Sequence, residues 1–323
     1  MIKVAIVGYG NLGRGVERAL QQNADMELVG IYSRRDPSTV HTEGAPAYAL
    51  AELEQQKGKI DVCILCGGSA TDLPVQTPSL TKDFNTIDSF DTHAKIPEHF
   101  ANVDQAAKEN QTVSIISTGW DPGLFSLNRL YAESILPKGE TYTFWGKGVS
   151  QGHSDALRRI NGVADAIQYT IPKNEVIERL KAGETLELTT RDKHLRECFV
   201  VLADGAEEEA IKEEIVTMPN YFDEYDTIVH FISAEDLARD HQAMPHGGTV
   251  LRTGITHEQT KQVIEYNLQL ESNPEFTASV LVAYARACAR FAKEEQFGAF
   301  TVFDIPPKYL SSVEDATLRK ELL

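Results

Sequence analysis

Residues 2–13, Ile-Lys-Val-Ala-Ile-Val-Gly-Tyr-Gly-Asn-Leu-Gly, restrict the fold more than any other part of this 323-residue chain. The apolar run up to Val7 suits a strand buried on both faces, as parallel sheets require. Gly8, Gly10 and Gly13 follow at G-x-G-x-x-G spacing. In a strand–turn–helix unit the first glycine permits a tight turn. The second lets a pyrophosphate approach the backbone, and the third lets helix pack closely on strand. The helix amides and the positive end of its dipole then face the phosphates. The glycine motif alone is common; a strand before it and a helix after it make it a dinucleotide site. Gly8, Tyr9, Gly10, Asn11, Leu12 and Gly13 are therefore cofactor-binding candidates.

The next segments extend that reading. A helix is expected over 12–22 and a strand over 26–32, the strand ending in Ser33-Arg34-Arg35. About 20 residues past the last glycine, an NAD site carries an acid for the ribose 2′-hydroxyl. Here a hydroxyl and two guanidiniums stand instead. Arginine forks bind phosphate bidentately, so Ser33, Arg34 and Arg35 point to the 2′-phosphate of NADP. Asp36, one step later, leaves an acid able to face the ribose. A short helix over 49–56, strands over 60–66, 86–91 and 112–117, and a helix over 97–109 complete an alternating pattern. Over 1–118 it predicts an α/β dinucleotide-binding domain with a Rossmann-type, doubly wound parallel sheet. Ligands of such sheets bind at the carboxyl ends of the strands. The exits Cys66-Gly67-Gly68-Ser69, Ser89-Phe90-Asp91 and Thr118-Gly119-Trp120-Asp121 join the cofactor set on that ground.

Past 118 the rhythm changes. A helix from Asp121-Pro122 to 134, strands over 141–145, 163–170, 196–202 and 227–233, and a helix over 154–160 suggest an α+β second domain, 119–272, for substrate binding and dimerisation. The acidic run 204–214 reads as a solvated helix face. Asn273-Pro274 opens a last long helix, with Phe276, Val280, Tyr284, Cys288 and Phe291 on one face. A strand over 298–303, stopped by Pro306-Pro307, follows, and the tail 273–323 is expected to return to the first domain.

Charge and composition narrow the partners. With 31 basic and 48 acidic residues the net charge is −17, which argues against nucleic acid or an anionic membrane surface. No apolar run of about 18 residues suggests a spanning helix. The N-terminus enters a strand without a basic leader, so the cytoplasm is the expected compartment. Cys63 and Cys66 lie three apart on a strand and face opposite ways. No second cysteine pair completes a metal site, so no metal is expected, and all four cysteines read as reduced, buried small hydrophobes.

Asp91 and Asp121 are the catalytic candidates. Two carboxylates near a nicotinamide suit an ammonium substrate: they hold it, and one takes its proton as hydride leaves the adjacent carbon. Asp121 before Pro122 equally fits a helix N-cap with proline at N1, and Asp91 a turn residue. Trp120 and Trp145, the only tryptophans, each adjoin a glycine and fit either pocket walls or core. Thr170, Arg196 and His246 could bind an anion, but spacing alone joins none of them. The default for Arg196 is a surface arginine and for His246 a loop histidine.

Several longer stretches carry a resemblance. Residues 7–13, 33–35, 117–123 (Ser-Thr-Gly-Trp-Asp-Pro-Gly), 150–159 (Ser-Gln-Gly-His-Ser-Asp-Ala-Leu-Arg-Arg), 244–248 (Met-Pro-His-Gly-Gly), 273–279 and 298–302 resemble the meso-diaminopimelate dehydrogenase family. The likeness runs over nearly the whole chain. It implies NADP-dependent, reversible oxidative deamination of meso-2,6-diaminopimelate at its D-centre. The product, L-2-amino-6-oxopimelate, cyclises to tetrahydrodipicolinate, and ammonia and NADPH are released. The reverse reaction lies on the route to lysine. The resemblance also implies a cytoplasmic homodimer. It implies that Asp91 and Asp121 surround the reacting amine, with Trp120, Trp145, Gln151 and Gly152 nearby. Thr170, Arg196, His246 and Asn273 would hold the distal L-centre, with Asp155 near the pocket. The readings set against this are a broader D-amino acid dehydrogenase, which needs an apolar distal pocket, and a non-catalytic NADP-sensing regulator, which needs only the glycine fingerprint.

Overall fold

A computed structural model describes residues 1–323. Its contacts divide the chain into two compact units, Met1–Leu127 with Pro274–Leu323, and Asn128–Asn273.

The first unit is built on β1 (Ile2–Val7), β2 (Met26–Ser33), β3 (Ala47–Ala49), β4 (Val62–Leu65), β5 (Thr86–Asp88) and β6 (Val113–Ile115). All pair in parallel, in the order β6-β5-β4-β1-β2-β3. Helices cover both faces, so β4 is buried along its whole length. One face packs Ile6, Val16, Ile64 and Ile115 against the C-terminal helix; the other packs Val7, Leu65, Leu73 and Phe90. Cys63 belongs to the second face, and Cys66 packs against the first. Opposite pointing is therefore correct, but Cys66 is only partly buried, because it already lies in the strand exit.

Two elements here escape the sequence reading. The strand Ala47–Ala49 is three residues long, and the helix Leu73–Leu80 contains Pro74 and Pro78. Pro74 sits in the first turn, where its missing N–H costs nothing. The stretch 49–56 is a 3-10 helix over Leu50–Gln56.

The second unit holds β7 (Gly139–Trp145), β8 (Gly148–Val149), β9 (Val163–Pro172), β10 (His194–Leu202), β11 (Asp226–Phe231), β12 (His246–His257) and β13 (Thr260–Leu270). They form two sheets, β11-β10-β9-β8 and β13-β12-β7. Only the β10–β11 pair is parallel. The β12–β13 hairpin is absent from the sequence reading: β13 is largely solvent-facing, so its apolar signal is weak. This corrects the loop expected around His246, which instead opens β12. The helix expected over 154–160 runs over Gln151–Arg158. The acidic run forms a helix only from Glu208 to Val216, and Ile211 and Ile215 bury one side of it.

The chain then returns to the first unit. The helix Asn273–Lys293 buries Val280, Tyr284, Cys288 and Phe291. Gly15 of the first helix lies against its backbone; a Cβ there would stand 3.1 Å from the Pro274 oxygen. Buried Arg286 donates to Asp25 at 2.6 Å and to Asn23 at 2.8 Å, holding this helix to the entrance of β2. β14 (Gly298–Phe300) pairs with β6 as the seventh strand, and Val302–Asp304 turns into a 3-10 helix in place of further strand.

Candidate functional site

The glycine turn takes the shape its three roles demand. Gly8 has φ +93°, a backbone that side chains rarely adopt. A Cβ at Gly13 would stand 2.4 Å from the Gly8 carbonyl oxygen, whereas one at Gly10 would meet nothing within 4 Å. Crowding at Gly8 and Gly13 closes the turn onto the helix, and Gly10 leaves one side of it clear. The helix Asn11–Gln21 starts there with no acidic residue in its first turn to compete for the amides. This donor set and the clear approach at Gly10 fit a dinucleotide phosphate.

Two arginines extend the same edge. Arg35 donates to the Tyr9 carbonyl, and its own N–H bonds Ser33 Oγ at 3.1 Å. Arg34, 71% exposed, pairs with Asp72 at 2.8 Å. The other Asp72 oxygen accepts the Gly68 N–H at 2.9 Å, so one carboxylate links the arginine to the Gly67-Gly68 turn. Asp36 has a local partner: it accepts the Ser38 N–H at 2.9 Å and the Ser38 hydroxyl at 2.8 Å, capping the turn Pro37–Thr39. Tyr9, besides lending its carbonyl, donates its hydroxyl to buried Glu17, which also accepts the amides of Glu43 and Ala45. Burial and that carboxylate hold the Tyr9 phenol well above its ordinary pKa.

The remaining strand exits of this unit hold the two acids. Asp91 donates its N–H to Ser69 Oγ at 2.9 Å, which ties the exit after β5 to the exit after β4. Ser89 and Phe90 precede it. Trp120 is buried and edge-on to Phe125 at 5.2 Å, and Thr118 is wholly buried. The N-cap reading of Asp121 fails because the helix begins only at Leu124. A tight loop intervenes, closed by amides of Leu124 and Phe125 on the carbonyls of Gly119 and Trp120. The sheet thus leads both acids out at its carboxyl edge.

In the second unit, strand register joins the residues that spacing leaves scattered. Gly148, Thr170 and Arg196 pair across β8, β9 and β10, and Thr227 of β11 continues the row. Arg196 is 6% exposed, donates to Thr170 Oγ1, and leaves its buried Nε without a partner. Tyr225 lies under the guanidinium, 3.8 Å from Cζ to ring centroid. Burial pulls the Arg196 pKa down, and Tyr225 opposes the shift. His246 sits against Gly148, where a Cβ would come within 2.6 Å of its ring. Its Nδ1 lies 2.8 Å from the Gly247 N and 3.2 Å from the Gly247 carbonyl oxygen, which holds the ring against the next peptide unit. Gln151 donates to Met244 Sδ at 3.4 Å, and Met244 O accepts the Asn273 amide at 3.1 Å, so these two candidates meet at one residue. A Cβ on Gly152 would meet nothing within 4 Å. Asp155, one turn along that helix, pairs with Arg158 on the exposed side.

Trp145 has a partner that sequence reading misses. Its N–H donates to His194 Nε2 at 2.8 Å, and the two rings stack at 5.6 Å. His194 is two residues before Arg196 on the same face of β10, a period-2 signal that could have found it. Tyr225 has no comparable signal, because it lies outside the strand that carries Arg196.

Comparisons with known proteins identify the family. Residues 119–272 match the family model of the diaminopimelic acid dehydrogenase C-terminal domain. The chain is 60% identical to the meso-diaminopimelate D-dehydrogenase of Ureibacillus thermosphaericus, over 100% of this chain and 99% of that one. Among solved structures, a sixfold variant of the Clostridium tetani E88 enzyme with DAP superposes with TM-score 0.96 and 53% identity, covering 100% of both chains. An engineered D-amino acid dehydrogenase bound to NADP+ gives TM-score 0.87 and 44% identity, over 100% of this chain and 99% of that one. The residues altered in the sixfold variant are a glutamine, a threonine, an arginine, a proline, a histidine and an asparagine, spaced as Gln151, Thr170, Arg196, Pro245, His246 and Asn273 are here. Full-length identity at this level, with the family model over the second unit, means that the chain belongs to the meso-diaminopimelate D-dehydrogenase family.

Proposed function

We propose that the protein oxidatively deaminates meso-2,6-diaminopimelate at its D-centre with NADP, releasing ammonia and L-2-amino-6-oxopimelate, which closes to tetrahydrodipicolinate. The observation that carries this reading is Arg196: a buried guanidinium bonded to Thr170, with one N–H donor still unpartnered. Such a group suits a carboxylate, because charge-assisted forks are stronger than neutral hydrogen bonds and fix orientation.

The substrate carries an ammonium and a carboxylate at each end, so reaction at one end requires asymmetric anchoring. Arg196 and Thr170 bind the distal carboxylate, and His246 adds a polar group beside them. Asn273 helps hold the distal centre, and Gln151 and Gly152 lie near the reacting amine. Trp120 and Trp145 form apolar walls that limit water. NADP supplies the hydride acceptor when bound, held by the glycine turn, Ser33, Arg34 and Arg35. Asp91 and Asp121 hold the reacting ammonium, and one of them takes its proton as the carbon is oxidised. Water then hydrolyses the substrate imine. Anchoring the far end presents a single C–H for reaction, which is a positioning effect.

A broader D-amino acid dehydrogenase would need an apolar distal pocket, and Thr170, Arg196 and His246 are polar. A sensing regulator would need no buried clamp. No helix is long and apolar enough to cross a membrane. The same reading places the protein as a homodimer in the bacterial cytoplasm, on the lysine route, and sedimentation of the purified protein tests the dimer. The deciding assay follows NADPH formation with separate diaminopimelate isomers. Turnover of the meso isomer with little from the L,L isomer is expected; equal rates with both would overturn the assignment.

A further inference from the structure

Asp88, at the end of β5, is wholly buried and touches none of the proposed substrate groups. Its carboxylate nevertheless accepts four hydrogen bonds. Oδ1 takes the Phe90 N–H at 3.0 Å and the Ser117 N–H at 2.9 Å. Oδ2 takes the Thr77 hydroxyl at 2.7 Å and His99 Nε2 at 2.8 Å, the ring nitrogen donating because a carboxylate has nothing to give. The Asp88 carbonyl adds a fifth tie, accepting the Thr118 N–H at 2.9 Å. The His99 ring stacks on Phe90 with centroids 4.2 Å apart.

These bonds converge on two strand exits. Phe90 immediately precedes Asp91. Ser117 and Thr118 open the loop that carries Asp121, and Ser117 has φ +54°, uncommon for a serine. Both exits would otherwise leave separate, short strands: β5 and β6 have three residues each. Ladders that short give little hold on the loops beyond them. One carboxylate oxygen shared by both exits sets the spacing between them, and the Thr77 and His99 donors keep that carboxylate from turning.

We propose that Asp88 is a positioning residue for the reaction: through the backbone of residues 90 and 117–118 it sets the separation of Asp91 and Asp121, with His99 and Thr77 locking it. The proposal rests on the reading that Asp91 and Asp121 hold the reacting amine. Its main effect falls on geometry at the reacting carbon, since the phosphate groups of the cofactor site, the glycine turn and Arg34-Arg35, are held by other contacts.

The test compares Asp88→Ala, Asp88→Asn and His99→Phe in the full-length protein. Asn keeps an oxygen for the two amides, and Phe keeps the stack on Phe90 but loses the bond to Asp88. Asp88→Ala is expected to lower kcat by about 100-fold, the cost of a misplacement near 1 Å. The NADP dissociation constant should change far less than kcat, because the phosphate contacts of the glycine turn and Arg34-Arg35 are untouched. The deuterium isotope effect on kcat, with substrate labelled at the D-carbon, should rise because hydride transfer becomes slow. Asp88→Asn should restore most of kcat, and His99→Phe should lower it by about tenfold, one charge-assisted bond. A merely structural role would lower Tm and leave kcat and the isotope effect alone below the transition; that result overturns the proposal. If Asp88→Ala does not fold, wild-type kcat and isotope effect in His99→Phe overturn it equally. Asp91→Asn and Asp121→Asn are measured in parallel. Loss in those two with none in the Asp88 and His99 variants defeats this proposal alone, while full activity in those two defeats the reading beneath it.

Discussion

The guanidinium of Arg196 lies 3.8 Å over the ring of Tyr225 while it donates to Thr170 on the neighbouring strand. The cation is therefore fixed from two sides, by a π face below and a hydroxyl beside it, before any carboxylate arrives. Such preorganisation lowers the ordering cost of binding.

Arg196→Met should cost meso-diaminopimelate turnover about 3 kcal/mol in kcat/KM, roughly 100-fold or more, since it leaves a substrate carboxylate unpaired. Arg196→Lys should recover little, because an ammonium has no planar fork to bond Thr170 and a carboxylate together. Steady-state kinetics on the three proteins check this. A lysine variant close to wild type would show that charge alone suffices.

A buried histidine, His194, and a half-buried one, His153, flank the same arginine. Burial, then the charges of Arg196 and Lys193, push His194 down to about 3; burial, then Arg196, pushes His153 down to about 4. Their folded pKa values lie below the ordinary 6.5, so between those limits the unfolded chain binds more protons. Stability from this source is complete above pH 6.5 and falls as the pH drops through that window. Each group contributes a slope of about 1.4 kcal/mol per pH unit. His194→Gln keeps an acceptor for the Trp145 N–H and removes one titration. Urea midpoints at pH 7 and pH 5 should differ less in this variant than in wild type; equal differences would mean His194 is not held neutral.

The first unit was legible because its signals are local. The glycine turn, the strand exits and Ser33-Arg34-Arg35 are contiguous stretches, and their order along the chain fixes their place at one sheet edge. The second unit was not. Thr170 and Arg196 become neighbours only through antiparallel register, and His246 meets Gly148 only because an unforeseen hairpin brings β12 beside β7. Family resemblance supplied those residues where spacing could not. Asp88 escaped both routes: in the run Thr-Ile-Asp-Ser-Phe, one acid carries no mark of the four donors folded around it.

The two adjacent arginines should separate affinity from stability. Arg34 is largely exposed, and its pair with Asp72 contributes about 1 kcal/mol at most. Arg34→Ala is therefore expected to leave Tm nearly unchanged. It should weaken NADP by about 2 kcal/mol, the scale of a charge-assisted bond to the 2′-phosphate, with much less effect on NAD. Arg35→Ala also frees the Tyr9 carbonyl and should disturb the glycine turn, so it should weaken both cofactors. Titrating each variant with NADP and NAD checks the distinction. An unchanged NADP-to-NAD ratio in Arg34→Ala would remove Arg34 from the phosphate site.

Gly123 and Gly152 make opposite predictions for one chemical change, a single methyl. Gly123 has φ +134°, and a Cβ there would stand 1.8 Å from the Gly119 carbonyl oxygen, inside the loop that carries Trp120 and Asp121. Backbone cannot yield as a flexible side-chain tip can, so Gly123→Ala must open that loop. It should cost about 2 kcal/mol or more of stability through strain and displace Asp121, lowering kcat even where the protein remains folded. Gly152 lies in the first turn of a helix with nothing within 4 Å of its Cβ position. Gly152→Ala should therefore raise stability by about 0.5–1 kcal/mol, the difference in helix propensity. If substrate approaches that open face, the same methyl raises the KM for meso-diaminopimelate while Tm rises. A variant that gains Tm with KM unchanged would show that Gly152 borders no substrate, and would take it out of the site without touching Gln151 beside it.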